Sequence, residues 1–380
     1  MSDNFFGDLS VIGMRGCEKF VDQVDYYLRE WRIHDEDTSF IVTAECPRFG
    51  SGEAKGLLHS SMRGHDVYII SDCFNYGVTY KMYGKEVPMS PDDHFQDLKR
   101  IIAAIGGKAK RITVIMPMLY EGRQHKRSSR ESLDCAIALQ ELVNMGVSNI
   151  VTFDAHDARV SNAIPLTGFD NVRPTYQMIK ALVKNIPDIS LSHDDIMIIS
   201  PDEGAMGRTM YYASVLGLDL GMFYKRRNYA VIIDGKNPIE AHEYLGKDVR
   251  GKDVIVIDDM IASGDSIIDV ARQLKEKGAK RIFFFVSFGL FTNGFEIFDK
   301  AYEEGIFDKC FTTNLIYHPE GLLTKEWYAE VSMCKYVALM IDTLNKERSI
   351  SSLLNPVKKI HTILEAQNKK TQTQQKINIE

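Results

Sequence analysis

Two adjacent acids and a short turn rich in hydroxyl groups follow one apolar run of the sequence. The run is Val254–Ile257, the acids are Asp258 and Asp259, and the turn is Ala262, Ser263, Gly264, Asp265 and Ser266. A helical pattern begins at this turn, so free backbone N–H groups and the positive end of the helix dipole would face an anion. Carboxylates do not bind phosphate, but they suit sugar hydroxyls or a hard cation such as Mg2+. The stretch therefore predicts a site for a sugar phosphate.

Charged and polar residues recur after other predicted strands. The stretches are Arg48–Ile70 (RFGSGEAKGLLHSSMRGHDVYII), Gly122–Arg127 (GRQHKR), Asp154–His156 (DAH), Ser200–Gly204 (SPDEG) and Lys225–Arg227 (KRR). Guanidinium and ammonium groups bind phosphates and spread the negative charge of a phosphoryl-transfer transition state. Each stretch alone is also compatible with an ordinary surface loop, so only their joint occurrence is informative.

The acids and turn at residues 258–266 resemble the phosphoribosyl-diphosphate signature of the type I phosphoribosyltransferases and their synthase relatives. The loop of that family usually reads Asp-Thr-Gly-Gly-Thr or Ala-Thr-Gly-Gly-Thr, and this chain has Asp265 where the second glycine is usual. An acid beside a phosphate is unfavourable unless it points away or meets a cation. The resemblance implies that Asp258 and Asp259 hold ribose hydroxyls and that the N–H groups of residues 262–266 hold a 5-phosphate.

Two stretches in the first half are similar to nucleotide-binding motifs of the synthases. The resemblance of RFGSGE implies that Phe49 stacks on adenine and that Gly52 and Glu53 lie near the nucleotide. GRQHKR is similar to the synthase motif Ala-Arg-Gln-Asp-Arg-Lys, in which Arg123 and Gln124 match residue for residue. Their implied role is to bind the phosphates of ATP.

Three short motifs complete the resemblance to the synthases. DAH matches the family's Asp-x-His, and SPDEG matches Ser-Pro-Asp-x-Gly, which makes His156 and Asp202 the implied metal ligands. KRR matches the family's Lys-Arg-Arg, whose first and third residues stabilise the transition state. Those residues are Lys225 and Arg227 here, and they are the implied catalytic residues.

By these motifs the chain is identified as a member of the ribose-phosphate pyrophosphokinase family over roughly residues 40–345. The resemblance implies transfer of the β,γ-diphosphate of ATP to the anomeric hydroxyl of ribose 5-phosphate, with AMP as leaving group and Mg2+ as cofactor. No covalent enzyme intermediate is needed, so catalysis would rest on placing the two substrates in line and neutralising charge. The resemblance also implies a homo-oligomer built from dimers, in many members a hexamer.

Two other functions are compatible with parts of this pattern. A phosphoribosyltransferase would consume phosphoribosyl diphosphate, but such an enzyme is usually a single domain of about 200 residues. A non-catalytic regulatory homologue would keep the fold without the activity. Two departures allow that interpretation, namely His125, which replaces the usual aspartate after GRQ, and Asp265. The retained His156, Asp202 and Lys225 count against it.

Six short apolar runs, most of them rich in Ile and Val, are typical of buried strands. They are Asp66–Ser71, Arg111–Met116, Asn149–Phe153, Asp195–Ser200, Asp253–Ile257 and Arg281–Phe288. Between them, Ser128–Met145 opens with Ser128 and Glu131 at capping-box spacing, and Gly264–Lys277 has apolar residues at helical spacing. The repeated order of strand, helix and strand predicts an α/β fold of two similar phosphoribosyltransferase-like domains, each a mostly parallel sheet flanked by helices.

The expected domains divide the chain near its middle. An N-terminal domain for ATP would cover residues 1–172 and be completed by a C-terminal helix around residues 346–366. A C-terminal domain for ribose 5-phosphate would cover residues 173–345. The polar tail at residues 367–380 lacks large apolar residues apart from two isoleucines, so we expect it to be disordered.

Composition and charge exclude several other classes of protein. A chain of 380 residues with 44% hydrophobic and 26% charged residues is typical of a globular protein with two domains. The net charge of -6 argues against a nucleic-acid partner. The sequence contains no run of eighteen apolar residues, so we expect no membrane span. The first residues do not resemble a secretory signal. The six cysteines include no CxxC pair, which argues against zinc and disulfides and favours a cytoplasmic location.

Overall fold

The computed structural model describes residues 5–32, 38–227 and 239–377. The chain forms two compact units. The first unit contains Met1–Pro174, Asn314–Tyr317 and Ser332–Leu354, and the second contains Thr175–Thr313, His318–Val331 and Asn355–Glu380. Each unit is built around a mostly parallel sheet flanked by helices, which confirms the predicted fold class.

The helices and strands alternate along most of the chain. Up to the end of the first sheet they are β1 (Asp8–Gly13), α1 (Glu18–Arg32), β2 (Ala44–Glu45), β3 (Leu57–Leu58), β4 (His65–Ile70), β5 (Thr79–Met82), β6 (Lys85–Pro88), α2 (Pro91–Ile105), β7 (Arg111–Ile115), α3 (Asp134–Asn144), β8 (Asn149–Phe153) and β9 (Gly168–Val172). They continue with α4 (Thr175–Asn185), β10 (Ile196–Ser200), α5 (Met206–Leu216), β11 (Asp219–Arg227), β12 (Ile239–Leu245), β13 (Asp253–Ile261), α6 (Asp265–Glu276), β14 (Ile282–Gly289), α7 (Glu296–Glu303), β15 (Lys309–Thr313), β16 (Tyr328–Val331), α8 (Cys334–Asn345), α9 (Ser351–Leu354) and α10 (Val357–Ile377). Among the described residues, no helix combines the length and the apolar character that crossing a membrane requires.

The sheet of the first unit has five parallel strands in the order β1, β4, β7, β8, β9. Strand residues such as Val67, Ile69 and Val114 share one core with α2 and α3, which contribute Leu98 and Leu139. Helix α1 contacts α8 within the same unit. Because all strands are parallel, their carboxyl ends lie at one edge, where the loops after β7 and β8 are neighbours.

Within residues 239–377 and the described residues before 228, the sheet of the second unit has seven strands in the order β12, β11, β10, β13, β14, β15, β16, and only the pairing of β11 with β12 is antiparallel. Alternate residues of β13 point to opposite faces, as the pleat requires. Val254 and Val256 share a core with Leu274 of α6, whereas Ile255 and Ile257 share a different core with Leu216 of α5. Burial on both faces explains why these strands read as continuous apolar runs.

Two predicted boundaries differ from the structure. Helix α3 begins at Asp134, not at Ser128. The N–H of Ser128 does donate to the Glu131 carboxylate at 3.1 Å, but this hydrogen bond closes a local turn in an exposed segment. Strand β13 runs on to Ile261, so Asp258 and Asp259 lie inside it and not after its end.

The C-terminal segment also differs from expectation. Helices α8 and α9 lie in the first unit, but α10, which covers residues 357–366 of the helix expected there at residues 346–366, lies in the second. The reason is the apolar face of α10, because Ile360 is fully buried in the core that contains Ile255. Helix α10 also covers residues 367–377 of the tail that we expected to be disordered. The side chain of Gln367 attaches the helix to the second unit, because it donates to the carbonyls of Pro187 and Ile189. Residues 378–380 lie outside the described residues.

Candidate active-site residues

The turn that sequence analysis assigned to a phosphate has the geometry of an anion site. Gly264 is the N-cap of α6 and has φ 97°. A Cβ at this position would lie 2.4 Å from a ring atom of Phe298, so glycine is required both by the backbone and by the neighbouring ring. In the described part of the chain, none of the N–H groups of residues 263–266 donates to another backbone group outside the helix. Asp265 is the exposed first residue of α6, where the helix dipole favours a carboxylate.

Asp258 and Asp259 share one guanidinium. Nη1 of Arg208 lies 3.5 Å from Oδ1 of Asp258, and its Nη2 lies 3.5 Å from Oδ2 of Asp259. The N–H of Asp259 also donates to Oδ1 of Asp258 at 2.8 Å. Burial raises the pKa of Asp258 well above its ordinary value, the charge of Asp259 raises it further, and Arg208 acts in the opposite direction. The site is thus a pair of carboxylates that one buried cation only partly neutralises.

Arg208 is a functional candidate that sequence analysis missed. It lies on α5 at the helical spacing of Tyr212 and Val215, two residues of the buried face. An arginine on an otherwise apolar helix face was therefore the available signal.

Asp202 lies near the same carboxylates. It follows β10, which is the direct neighbour of β13, and its charge contributes to the raised pKa of Asp258. Its carboxylate accepts from the N–H of Ala205 at 3.1 Å, which fixes the SPDEG turn at the start of α5. The structure therefore brings Asp202, Asp258 and Asp259 together at one edge of the second sheet.

The two predicted catalytic residues lie at the end of a neighbouring strand. Lys225 and Arg227 belong to the last residues of β11, which pairs with β10. Their side chains lie outside the described residues.

In the first unit, the GRQ loop and the DAH motif follow adjacent strands and meet. Nε2 of His125 lies 3.4 Å from Oδ2 of Asp157, and the rings of His125 and His156 have centroids 5.3 Å apart. Among the described residues, Nδ1 of His125 is buried without a hydrogen-bond partner. His156 itself is exposed. Asp154 has φ 39°, a left-handed conformation that redirects the chain directly after β8.

Arg123 and Gln124 differ in their contacts with the rest of the loop. Arg123 is exposed. The side-chain amide of Gln124 donates to the carbonyl of Ser132 at 2.8 Å, and its N–H donates to the carbonyl of Glu121 at 2.8 Å. Arg123 is thus open to a ligand, whereas Gln124 already holds its own loop together.

The segment Phe49–Glu53 forms a tight turn, which is held by a backbone hydrogen bond within it and by an ion pair directly before it. The N–H of Phe49 donates to the carbonyl of Glu53 at 2.7 Å, and Gly52 has φ 94°. Directly before the turn, the guanidinium of Arg48 pairs with Asp97 of α2 at 2.8 Å. The ring of Phe49 is 54% exposed, so the turn presents an aromatic face to solvent.

The residues fit a magnesium ion that is held largely by substrate. Among the described residues, no three His, Cys, Asp or Glu side chains are grouped so that they could hold a metal ion alone. Mg2+ keeps several waters and commonly binds one or two carboxylates together with substrate phosphates. Asp202 and Asp258 offer such oxygen atoms, and a cation there would favour the ionised form of Asp258 against the effects of burial and of the Asp259 charge.

Comparison with known proteins assigns both halves of the chain. Residues 9–146 match the family model for the N-terminal domain of ribose phosphate pyrophosphokinase, and residues 169–304 match the phosphoribosyl transferase domain. The Vibrio cholerae ribose-phosphate pyrophosphokinase is 27% identical over 330 residues, which are 85% of this chain and 95% of that protein. The chain belongs to the ribose-phosphate pyrophosphokinase family. A relative of the same name from Mycoplasma genitalium is 27% identical over 310 residues, 79% of this chain and 85% of that protein.

A solved structure supports the fold of this family member over nearly its whole length. The phosphoribosylpyrophosphate synthetase from Mycobacterium smegmatis superposes with a TM-score of 0.72 over 90% of this chain and 99% of that chain. At 21% sequence identity this likeness concerns the fold alone.

Proposed function

We propose that the protein is a ribose-phosphate diphosphokinase, which transfers the β,γ-diphosphate of ATP to the anomeric hydroxyl of ribose 5-phosphate and releases AMP. The observation that carries the proposal is the connection from β13 to α6 in a chain of this family. It joins a strand that carries two carboxylates, Asp258 and Asp259, to a helix start at Gly264, and among the described residues the N–H groups of residues 263–266 donate to no backbone group outside the helix. Carboxylates for hydroxyls and N–H groups for phosphate match a sugar phosphate.

Ribose 5-phosphate binds to the second unit in this proposal. The N–H groups of Ala262, Ser263, Gly264, Asp265 and Ser266 hold the 5-phosphate. Asp258 and Asp259 accept hydrogen bonds from the ribose hydroxyls, and Arg208 keeps both carboxylates in place from the side of α5. Exposure of Asp265 is compatible with a carboxylate directed away from the bound phosphate.

ATP binds to the first unit in this proposal. Phe49 stacks on adenine through its exposed ring, and Gly52 and Glu53 complete the turn around the nucleotide. Arg123 binds the phosphates, whereas Gln124 contributes mainly by fixing the loop through its bond to Ser132. The cationic side chain is thus presented on a loop that is itself held by hydrogen bonds.

Catalysis needs no covalent intermediate, because the sugar hydroxyl displaces AMP directly at the β-phosphorus. Lys225 and Arg227 neutralise the charge that develops on the transferring group. When bound, Mg2+ neutralises charge on the ATP phosphates. Asp202, with Asp258 nearby, is the candidate ligand pair in the second unit. His156 is a separate candidate in the first unit. We further propose that the protein is cytoplasmic and that it forms a homo-oligomer built from dimers. Sedimentation velocity would test the second proposal, because it measures the mass of the protein in solution.

The deciding experiment mixes the purified full chain with ATP, Mg2+ and ribose 5-phosphate and measures AMP. We expect AMP only when the sugar phosphate is present, and ribose without the 5-phosphate serves as the matched control. Absence of AMP under varied metal and phosphate would favour a regulatory homologue, for which His125 and Asp265 are the supporting departures. Release of diphosphate from phosphoribosyl diphosphate that depends on a nucleobase would favour a phosphoribosyltransferase.

A further inference from the structure

The hairpin of β5 and β6 carries an exposed aromatic ring at its tip, beside the turn proposed for adenine. Tyr83 is 77% exposed and Phe49 is 54% exposed. The N–H of Tyr83 donates to the carbonyl of Gly50 at 2.9 Å, so a backbone hydrogen bond joins the hairpin tip to the turn that carries Phe49. We propose that Tyr83 is a second stacking residue for the purine base of ATP. This inference rests on the proposed function, because it extends the binding site of the same nucleotide.

The conformation of Tyr83 is difficult to explain by folding alone. Met82 pairs with Lys85, so Tyr83 and Gly84 form a two-residue hairpin turn. Both have positive φ, 50° and 77°, as a type I′ turn requires. Asn, Asp or Gly is favoured at the first of these positions, and a bulky residue there is strained. Because the ring is also mostly exposed, it adds little to the core, and strain without a packing benefit points to a role in binding.

The hairpin is a firmly attached platform. Arg15 donates to the carbonyl of Thr79 at 2.8 Å at the base of the hairpin. The hydroxyl of Tyr80 donates to Asp93 of α2 at 3.3 Å, and the guanidinium of Arg48 lies 4.7 Å from the centroid of the Tyr80 ring. The tip therefore does not depend on the hydrogen bond to Gly50 alone for its position.

The hairpin and the adenine turn also fit closely against each other. A Cβ at Gly52 would lie 2.8 Å from the sulfur of Met82. The turn thus packs against the side chain of Met82 at a position that has no side chain of its own. Two exposed rings on two closely fitted, fixed segments offer apolar faces to a flat base, and such stacking does not require hydrogen bonds to the base edge.

Tyr83→Asn separates binding from folding. Asparagine suits a type I′ turn, so the urea midpoint should stay the same or rise. Calorimetric titration should show about tenfold weaker binding of ATP, because one stacking face is lost. Inorganic tripolyphosphate has no base, so its affinity should not change. Tyr83→Phe keeps the ring and should bind ATP within about twofold of the wild-type protein.

Two results would overturn the inference. Unchanged ATP affinity in Tyr83→Asn would exclude stacking by this ring. Equal weakening of ATP and tripolyphosphate would assign the effect to a distorted phosphate site instead. Failure of the proposed function is a separate result, since it would show as no AMP from the wild-type protein, whereas binding of ATP is measured without turnover.

Discussion

Nη1 of Arg208 lies 3.5 Å from Oδ1 of Asp258, and the arginine side chain is only 7% exposed. The same guanidinium faces Asp259, whose side chain is 5% exposed. Arg208 is thus the counter-charge that allows two adjacent carboxylates to occupy a buried strand. A carboxylate left without its partner in such a position keeps the cost of desolvation and loses the compensating attraction.

Arg208→Met should therefore lower the free energy of unfolding by about 3 kcal/mol, as measured in urea. The matched control is Arg272→Met, which removes an arginine that pairs with Glu304 at 2.7 Å on the surface of the same unit. We expect the control to cost less than about 1 kcal/mol, because exposed ion pairs contribute little. Equal effects of the two substitutions would contradict the role assigned to Arg208.

Gly264→Ala should destabilise the protein by about 3 kcal/mol and weaken ribose 5-phosphate binding. The added methyl group would meet Phe298 and would also force alanine into a left-handed conformation. Gly305→Ala is the control for the cost of the left-handed conformation alone, since Gly305 has φ 68° but nothing lies within 4 Å of its Cβ position. If both variants lost the same stability, the contact with Phe298 would have no importance.

Much of the fold was predictable because buried parallel strands leave a simple trace in the sequence. Runs such as RITVIM and NIVTF are apolar on both faces and are bounded by polar residues, and β7 and β8 lie within them. The hairpin of β5 and β6 gave no strand signal, because its strands are only four residues long and mix charged residues such as Lys81, Lys85 and Glu86 with apolar ones. Helix α10 belongs to the second unit because Ile360 is buried in the core of that unit. The local sequence pattern shows an apolar helix face but not which core that face packs against.

The candidate site was predictable residue by residue but not as an arrangement. The motifs that end β10 and β13 are far apart in the chain, and only the strand order shows that Asp202 and Asp258 are neighbours. Arg208 escaped notice because α5 carries no motif at that position. A search for charged residues on apolar helix faces would have found it.

His125→Asp restores the residue that is usual in the family, yet we expect it to destabilise this protein. The new carboxylate would face Asp157, whose Oδ2 now lies 3.4 Å from Nε2 of His125. Aspartate is shorter than histidine, so the two carboxylates would lie somewhat farther apart than this, and their repulsion should cost about 1 kcal/mol. Urea unfolding at low and high salt measures the effect, which should shrink as salt rises. His125→Asn is the neutral control, and combining His125→Asp with Asp157→Asn should remove most of the loss.

Lys225→Ala should lower turnover far more than it weakens the binding of either substrate. Loss of a charge that acts mainly in the transition state typically costs about 100-fold or more in kcat. Steady-state kinetics with each substrate varied in turn separates kcat from KM. Lys247→Ala is the matched control, because that lysine pairs with Asp219 at the opposite end of the same strand. An unchanged kcat in Lys225→Ala would remove this residue from the catalytic set.

His94 should make the first unit less stable in mild acid. Burial lowers the pKa of His94 below its ordinary value of 6.5, and Nε2 donates to the carbonyl of Asn75 at 2.8 Å. The folded protein therefore prefers the neutral ring, whereas the unfolded chain takes up a proton near pH 6.5. Stability from this group is complete above pH 6.5 and is lost as the pH falls through the lower pKa of the folded state.

His94→Gln tests this pH dependence, because glutamine can still donate to Asn75 but does not titrate. The free energy of unfolding should fall less steeply from pH 7 to pH 5 in the variant than in the wild-type protein. Thermal or urea unfolding at each pH gives the two curves. Curves that run parallel over this range would show that His94 is not the responsible group. His59→Gln is the control for replacing a histidine at an exposed position, since the side chain of His59 is 52% exposed.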